Sequence, residues 1–192
     1  MPAIDSTLKP KLKAPPGTCD THMHIYNPKY PKAPTAKIDA PAAPVSAYRK
    51  MCERLGIERT VVVQPSTYGK DNRCTLEAVA AIGPNARCVV VVDENVADAE
   101  LDRLTRLGAR GIRFFMLAGA PLPWDILETM SARVAPFGWH VQLQLDGRDL
   151  PLDERRQQLS RASAKNQQLI ELALSEQAPR KALAQPGERL PE

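Results

Sequence analysis

The apolar positions of residues 18–145 switch repeatedly between a helix period and a strand period, and this predicts the order of the elements. The helical period predicts four helices, at residues 45–55, 72–82 with Asn72 as the N-cap, 97–107 and 124–134. Runs rich in β-branched and aromatic residues predict five strands, at residues 18–25, 59–64, 87–92, 110–116 and 139–145. Glycines at 56, 83, 108 and 138 each separate a helix from the following strand, at a repeat of about 25 to 30 residues. The pattern predicts an α/β fold with a parallel sheet, and leaves open whether the sheet is doubly wound or belongs to a (β/α)8 barrel.

Three segments do not follow this repeat. Residues 1–17 contain four prolines and no periodic apolar pattern, which predicts a flexible leader. Residues 26–44 contain five prolines, and we expect a long ordered loop that acts as a lid or substrate wall. Residues 151–192 contain no aromatic residue, Val, Cys or His, and predict a polar tail with one amphipathic helix at 153–177 and a frayed end from Pro179.

Composition and charge exclude several classes of protein. Hydrophobic residues make up 43% of the chain and charged residues 25%, which is typical of one soluble globular domain. The net charge of +4 is spread among acidic residues, so we expect neither a nucleic-acid partner nor a membrane surface. The four cysteines show no zinc-finger or disulfide spacing, which favours reduced thiols and a cytoplasmic location. No signal peptide is visible, and no run approaches the roughly 20 apolar residues that span a bilayer.

The most specific chemical signal is a pair of histidines, one residue apart, in the first predicted strand. Alternate side chains of a strand share a face, so we expect His22 and His24 to point the same way with Asp20 beside them. Neutral imidazoles in this arrangement can bind a divalent metal that polarises a carbonyl or activates water. They can also donate directly to a developing oxyanion. The alternative is a chance pair without a chemical role.

Further polar side chains follow the other predicted strands at their carboxyl ends, where parallel α/β sheets bind ligands. Arg113 is typical of a carboxylate clamp, because its guanidinium offers a two-pronged fork; the alternative is an ion pair with a nearby Asp. Ser66 does not lie in a Gly-x-Ser-x-Gly turn, so we expect it to form hydrogen bonds rather than to act as a nucleophile. The remaining candidates at this edge are Gln64, Asn72, Asp93 and Gln144.

Four segments together resemble the amidohydrolase-related family of metal-dependent hydrolases. They are Asp-Thr-His-Met-His-Ile at 20–25, Val-Val-Gln-Pro-Ser-Thr-Tyr-Gly-Lys-Asp-Asn at 62–72, Arg-Gly-Ile-Arg-Phe at 110–114 and Gly-Trp-His-Val at 138–141. The resemblance extends over residues 15–150 and implies a parallel (β/α) barrel of the TIM type. The chain holds about five of the eight β/α units of such a barrel. It is most similar to the branch that hydrolyses 2-pyrone-4,6-dicarboxylate, whose neighbours include sugar-lactone isomerases.

The resemblance also implies a reaction and a set of site residues. The implied reaction is hydrolysis of a cyclic ester, a lactone or pyrone, that carries carboxylates; a sugar-lactone isomerase is the alternative. His22 and His24 are the implied catalytic residues, which stabilise charge on the carbonyl oxygen, and Ser66, Arg113 and Asn72 are the candidate substrate-binding residues. His22 and His24 are also the candidate ligands of a divalent metal, zinc or manganese, although the pyrone hydrolase branch is understood to work without one.

The sequence departs from the family pattern at several positions. Phe115 follows Arg113 by two residues where family members often have Asn, and Ile38 and Gln144 stand where tyrosines are expected. The family's later strands supply a further histidine and a catalytic aspartate, and neither segment is present. We therefore expect a C-terminally truncated barrel with impaired activity. The rival hypothesis is an inactive half-barrel that acts as an interaction protein or self-associates through its open sheet edges.

Overall fold

The computed structural model describes residues 10–146 and 160–164 of the 192-residue chain. Its centre is one sheet of five parallel strands. The strands are β1 (Cys19–Met23), β2 (Arg59–Val63), β3 (Ala86–Val90), β4 (Ala109–Phe115) and β5 (His140–Gln144). The helices are α1 (Val45–Leu55), α2 (Arg73–Ile82), α3 (Asp98–Arg106) and α4 (Leu127–Val134), and short 3₁₀ turns lie at Ser66–Tyr68 and Ala135–Phe137.

The strands pair in the order β1-β2-β3-β4-β5, without a reversal. A doubly wound sheet places at least one later strand on the far side of the first, so its strand order is not sequential. The unbroken order is that of the wall of a barrel. Of the two architectures that the sequence pattern left open, the structure therefore selects the (β/α) barrel type, present as a curled half.

Each of the five strands and four helices predicted within residues 18–145 is present, with boundaries shifted by three residues at most. The glycines that end the helical segments all have positive φ, at 78° for Gly56, 99° for Gly83, 105° for Gly108 and 70° for Gly138. The clearest case is Gly56, whose left-handed conformation ends α1 and directs its N–H to the Cys52 carbonyl at 2.8 Å. A side chain is strained in that conformation, which explains why glycine recurs at these junctions.

The apolar core lies between the convex face of the sheet and the helices α2, α3 and α4. Trp139 is its largest fully buried side chain, and the indole Nε1–H donates to Thr105 Oγ1 at 2.9 Å. By contrast, α1 contributes no fully buried residue. The core therefore supports the middle of the sheet more strongly than the β1 edge.

A β-bulge in β1 changes which of its side chains share a face. Asp20 is opposite Thr60 and Met23 is opposite Val62, so three steps along β1 match two steps along β2. The regular alternation is thereby interrupted. The Asp20 carboxylate points toward α1, where it accepts a hydrogen bond from Tyr48 Oη at 3.0 Å. The other carboxylate oxygen, Oδ1, accepts a hydrogen bond from the His22 N–H at 3.1 Å, so Asp20 lies next to His22 as expected, with one oxygen turned toward α1.

The Pro-rich segment 26–44 is an ordered loop that folds against the 3₁₀ turn Ser66–Tyr68. The backbones of Tyr26 and Ala43 pair at 2.8 and 3.1 Å, and the Ala33 N–H donates to the Thr67 carbonyl at 2.8 Å. The Asn27 N–H donates to Tyr68 Oη, also at 2.8 Å. Between the loop and the turn lies a cavity of about 370 Å³. The role of this loop as a lid or substrate wall stays a prediction.

Both ends of the described chain contact the half-barrel. Within the predicted leader, the Ala14 N–H donates to the Leu55 carbonyl at 2.7 Å. Residues 160–164 are helical, and Ser131 Oγ of α4 donates to the Ala162 carbonyl at 2.7 Å. Residues 1–9, the rest of the predicted helix at 153–177 and the predicted frayed end lie outside the described residues. Within the described ranges, none of the helices has the length and apolar character needed to cross a membrane.

Gly111 is required by the close approach of β4 and β5. A Cβ atom at this position would lie 2.7 Å from His140 Cε1 and 2.9 Å from the His140 backbone oxygen. We therefore expect Gly111→Ala to lower the free energy of unfolding by about 1–3 kcal/mol, measured by urea denaturation. The double variant Gly111→Ala/His140→Ala should recover only part of this loss, because the backbone oxygen remains. Unchanged stability of Gly111→Ala would contradict the observed strand packing.

Candidate active site

Polar side chains from the two edge strands meet across the concave face of the sheet. His22 of β1 is exposed, and its Nδ1 lies 3.4 Å from Gln142 Nε2 of β5. Partial burial of the imidazole ring lowers the pKa of His22, the charge of Arg113 lowers this pKa further, and the charge of Asp20 partly offsets both effects. Because the contact joins the first and last strands, the sheet is curled enough for its edges to face each other.

His24 lies beside His22, with the ring centroids 5.0 Å apart and the ring planes at 82°. The two histidines therefore share a face, as the strand period predicts. His24 Nδ1 is 2.8 Å from the Val63 carbonyl. A carbonyl only accepts, so Nδ1 carries the proton and neutral His24 presents an unprotonated Nε2. The pKa of His24 is lowered to about 4: burial lowers it most, the bond to Val63 partly offsets this, and the charges of Arg113 and His22 add to the lowering.

Arg113 of β4 is a buried cation in the same face, with only 3% of its surface exposed. One guanidinium nitrogen, Nη1, donates to the Gln64 carbonyl at 2.6 Å, and Nη2 donates to Gln144 Oε1. Its Nε is buried and has no hydrogen-bond partner in the part of the chain that the structure describes. No carboxylate within residues 10–146 or 160–164 pairs with it, so the alternative of an ion pair with a nearby Asp is not found there. An uncompensated buried charge is costly, which makes this position suited to an anionic ligand.

We call the carboxyl end of β2, residues 63–64, the exit of β2. Its two consecutive backbone carbonyls accept hydrogen bonds from two candidate site residues: Val63 from His24, and Gln64 from Arg113. The Gln64 side chain fixes this exit. It is fully buried, its Nε2 donates to the carbonyls of Gly69 and Asp71 at 3.1 and 2.9 Å, and its Oε1 accepts from Thr75 Oγ1 at 2.5 Å. The sequence predicted Gln64 at this edge of the sheet but did not indicate that its side chain fixes the loop after β2.

The other predicted site residues lie at the same edge without joining the histidines. Ser66 begins the 3₁₀ turn after β2. Asn72 makes no side-chain cap for α2, contrary to the prediction, because its amide bonds both the N–H and the carbonyl of Val91, at 2.9 and 2.7 Å. Asp93 pairs with Lys70, which lowers the pKa of Asp93. The substrate contacts of Ser66 and Asn72 stay predictions, and the Asn72 amide is already engaged with the scaffold.

Two residues of the concave face were missed in the sequence. The Tyr26 ring lies 6.1 Å from that of His24, and burial raises the pKa of Tyr26 while Arg113 partly offsets this. Gln142 contacts His22, as described above. Strand alternation could have predicted both residues. Tyr26 continues the series His22 and His24, and Gln142 is two residues before Gln144, so each shares a face with a candidate site residue.

The described residues do not by themselves fit a divalent metal. Zinc in proteins takes three or four ligands, and His22 and His24 supply two. The Asp20 carboxylate is turned toward Tyr48. No group of three or more His, Cys, Asp or Glu side chains in the described part of the chain could hold a metal ion. The metal-ligand role of the two histidines stays a prediction.

Comparison with known proteins places this geometry in a family context. The pattern of the family described as amidohydrolase matches residues 19–162. The chain is 38% identical over 150 residues to the 2-pyrone-4,6-dicarboxylate hydrolase of Comamonas testosteroni, covering 74% of this chain and 48% of that protein. It is 33% identical over 143 residues to the D-galactarolactone isomerase of Agrobacterium fabrum, covering 73% and 49%. The chain thus spans about half the length of the curated relatives it matches.

Solved structures show the same fold. A ligand-free protein of Agrobacterium tumefaciens matches with a TM-score of 0.69 and 31% identity, over 72% of this chain and 52% of that one. A probable 2-pyrone-4,6-dicarboxylic acid hydrolase of Acinetobacter baumannii, solved with citric acid bound, matches with a TM-score of 0.61 and 26% identity. That match covers 68% of this chain and 50% of the other.

The protonation of His24 can be measured directly. We expect its imidazole, followed by NMR and assigned with a His24→Asn variant, to titrate at a pKa of about 4. The unfolded chain has the ordinary histidine pKa of about 6.5, so the unfolded state binds more protons between these values. The free energy of unfolding should therefore fall as the pH drops from about 6.5 to about 4. Titration of His24 near 6.5 in the folded protein would contradict the burial and the Val63 contact.

Proposed function

This chain belongs to the amidohydrolase family. On that premise we propose that it hydrolyses a cyclic ester that carries carboxylates. The substrate class is a lactone or pyrone such as 2-pyrone-4,6-dicarboxylate. The observation that carries the proposal is the buried guanidinium of Arg113, which has an unpaired Nε and no acidic partner among the described residues. The relatives named for such substrates support it.

Arg113 binds a carboxylate of the substrate in this proposal. A guanidinium forms short, charge-assisted and often bidentate hydrogen bonds with a carboxylate. Ser66, on the loop that follows the Gln64 carbonyl, supplies a further hydrogen bond to the same group. The ester carbonyl then lies toward the histidine pair, because these side chains share the concave face with Arg113.

The two histidines differ in what they offer a reacting ester. The Gln142 amide faces Nδ1 of His22, which favours the tautomer that carries the proton on Nε2. His22 therefore donates a hydrogen bond to the carbonyl oxygen as negative charge develops there. His24 presents its unprotonated Nε2, because its proton is held on the Val63 carbonyl. It is placed to accept a proton from the attacking water.

His24 is a weak base for this step, which predicts slow turnover. A general base works best with a pKa near the operating pH, and the pKa of His24 is about 4. The aspartate that the family resemblance implies as the base is not among the assembled site residues. The chain thus carries the carboxylate clamp and the carbonyl-polarising histidine of the reaction. Absence of turnover would favour the rival hypothesis of an inactive half-barrel.

A lactone isomerase is the second candidate, because a D-galactarolactone isomerase is 33% identical to this chain. A lactone carboxylate would occupy Arg113 in the same way. The two reactions differ in their products, since a hydrolase yields an open-chain acid and an isomerase a second lactone. A cytoplasmic location is part of our proposal, supported by the four free cysteines; self-association through the edges of β1 and β5 stays a prediction.

The test is ring opening of 2-pyrone-4,6-dicarboxylate by the purified full chain, followed by absorbance with and without added zinc or manganese. We expect slow turnover that His22→Ala and His24→Ala abolish. Arg113→Met should raise KM by about ten- to a hundredfold, the worth of a charged hydrogen bond. Arg110→Met is the matched control, because Arg110 lies on the same strand but is exposed, and it donates to the carbonyls of Thr105 and Ala109.

Folding of every variant is checked by circular dichroism. No turnover by the folded chain, or equal KM values for the Arg113 and Arg110 variants, would contradict the proposed hydrolase.

A further inference from the structure

Gln144 contacts Arg113, the group that we propose binds the carboxylate of the ligand. Its Oε1 accepts a hydrogen bond from Arg113 Nη2. The contact is made from the last residue of β5, whose side chain is exposed, whereas Arg113 is 3% exposed. A solvent-exposed amide therefore covers part of a buried cation.

The guanidinium has two different kinds of partner. Nη1 is held by the backbone carbonyl of Gln64, which is fixed by the sheet and by the buried Gln64 amide. Among residues 10–146 and 160–164, Nη2 is held by a side chain at the strand end and Nε has no hydrogen-bond partner. A carboxylate bonds two N–H groups of a guanidinium side by side. Nε and Nη2 offer such an edge, and within the described residues Gln144 supplies its hydrogen bond.

We propose that Gln144 is an intramolecular competitor for the carboxylate of the ligand, a displaceable cap on Arg113 that sets the affinity of the site. The inference rests on the proposed carboxylate-binding role of Arg113 and adds the residue that regulates access to it. A neutral amide oxygen satisfies part of the guanidinium when the site is empty. A carboxylate displaces it, because it brings the opposite charge and bonds two N–H groups of the guanidinium side by side, whereas the amide oxygen is neutral and accepts from one.

The opposite role is that Gln144 positions Arg113, and the two roles predict opposite results. If Gln144 caps Arg113, its removal frees Nη2 and strengthens anion binding. If it positions Arg113, its removal loosens the guanidinium and weakens anion binding. The sign of one measured change therefore decides between them.

The experiment is isothermal titration calorimetry of the full chain with isophthalate, a planar 1,3-dicarboxylate without a hydrolysable ring bond. We expect Gln144→Ala to lower the Kd for isophthalate by about two- to tenfold, which corresponds to the net free energy of one hydrogen bond. Gln144→Glu should raise the Kd by about tenfold or more, because a built-in carboxylate neutralises Arg113. Leu117→Glu is the matched control for added charge: this exposed residue follows β4 at the same edge, and we expect its Kd to change less than that of Gln144→Glu.

Arg113→Met separates failure of this inference from failure of the proposed function. If Arg113→Met loses isophthalate binding while Gln144→Ala binds as the wild type or more weakly, the cap is refuted and the carboxylate clamp survives. If Arg113→Met binds as tightly as the wild type, the clamp fails and the cap fails with it. Equal weakening by Gln144→Glu and Leu117→Glu would also overturn the cap, because the effect would then be general electrostatics.

Discussion

The guanidinium of Arg113 is buried without an acidic partner in the described part of the chain, and the concave face is arranged around that charge. Burying an ion costs several kcal/mol when its attraction to an opposite charge does not offset the loss of water. Here a backbone carbonyl, the Gln144 amide and the Phe115 ring, 5.2 Å from the guanidinium, offset part of that cost. Burial lowers the pKa of His22 and His24, and the positive charge of Arg113 lowers both further. One cation thus binds a carboxylate in our proposal and favours neutral imidazoles beside it.

The exit of β2 gives this charge a fixed position. Parallel strands in sequential order bring their carboxyl ends to one edge, so residues distant in the chain meet there. Val63 and Gln64 present consecutive carbonyls to His24 and Arg113, and the buried Gln64 amide holds the loop that follows them. Site geometry in this molecule therefore depends on backbone acceptors more than on pairs of charged side chains.

Much of the fold could be predicted from local periodicity, because glycine junctions and β-branched runs depend on the conformation of short stretches of chain. The bounds of α1 and the proximity of His22 and His24 are of this kind. The bulge that turns Asp20 toward α1 is not, since it arises from the register between β1 and β2. Asn72 illustrates the same limit: the capping rule is local, whereas its amide bonds Val91, nineteen residues later in the chain. Whether Arg113 has an acidic partner depends on every strand of the sheet, so the sequence left the clamp and the ion pair open.

The most direct measurement is a crystal structure of the full chain with 2-pyrone-4,6-dicarboxylate or its ring-opened product bound. Our account predicts a ligand carboxylate within hydrogen-bonding distance of Arg113 Nε, with the Gln144 amide displaced and the ester carbonyl oriented toward His22. Ligand carboxylates bound away from Arg113 would contradict it. So would an acidic side chain of the protein paired with that guanidinium.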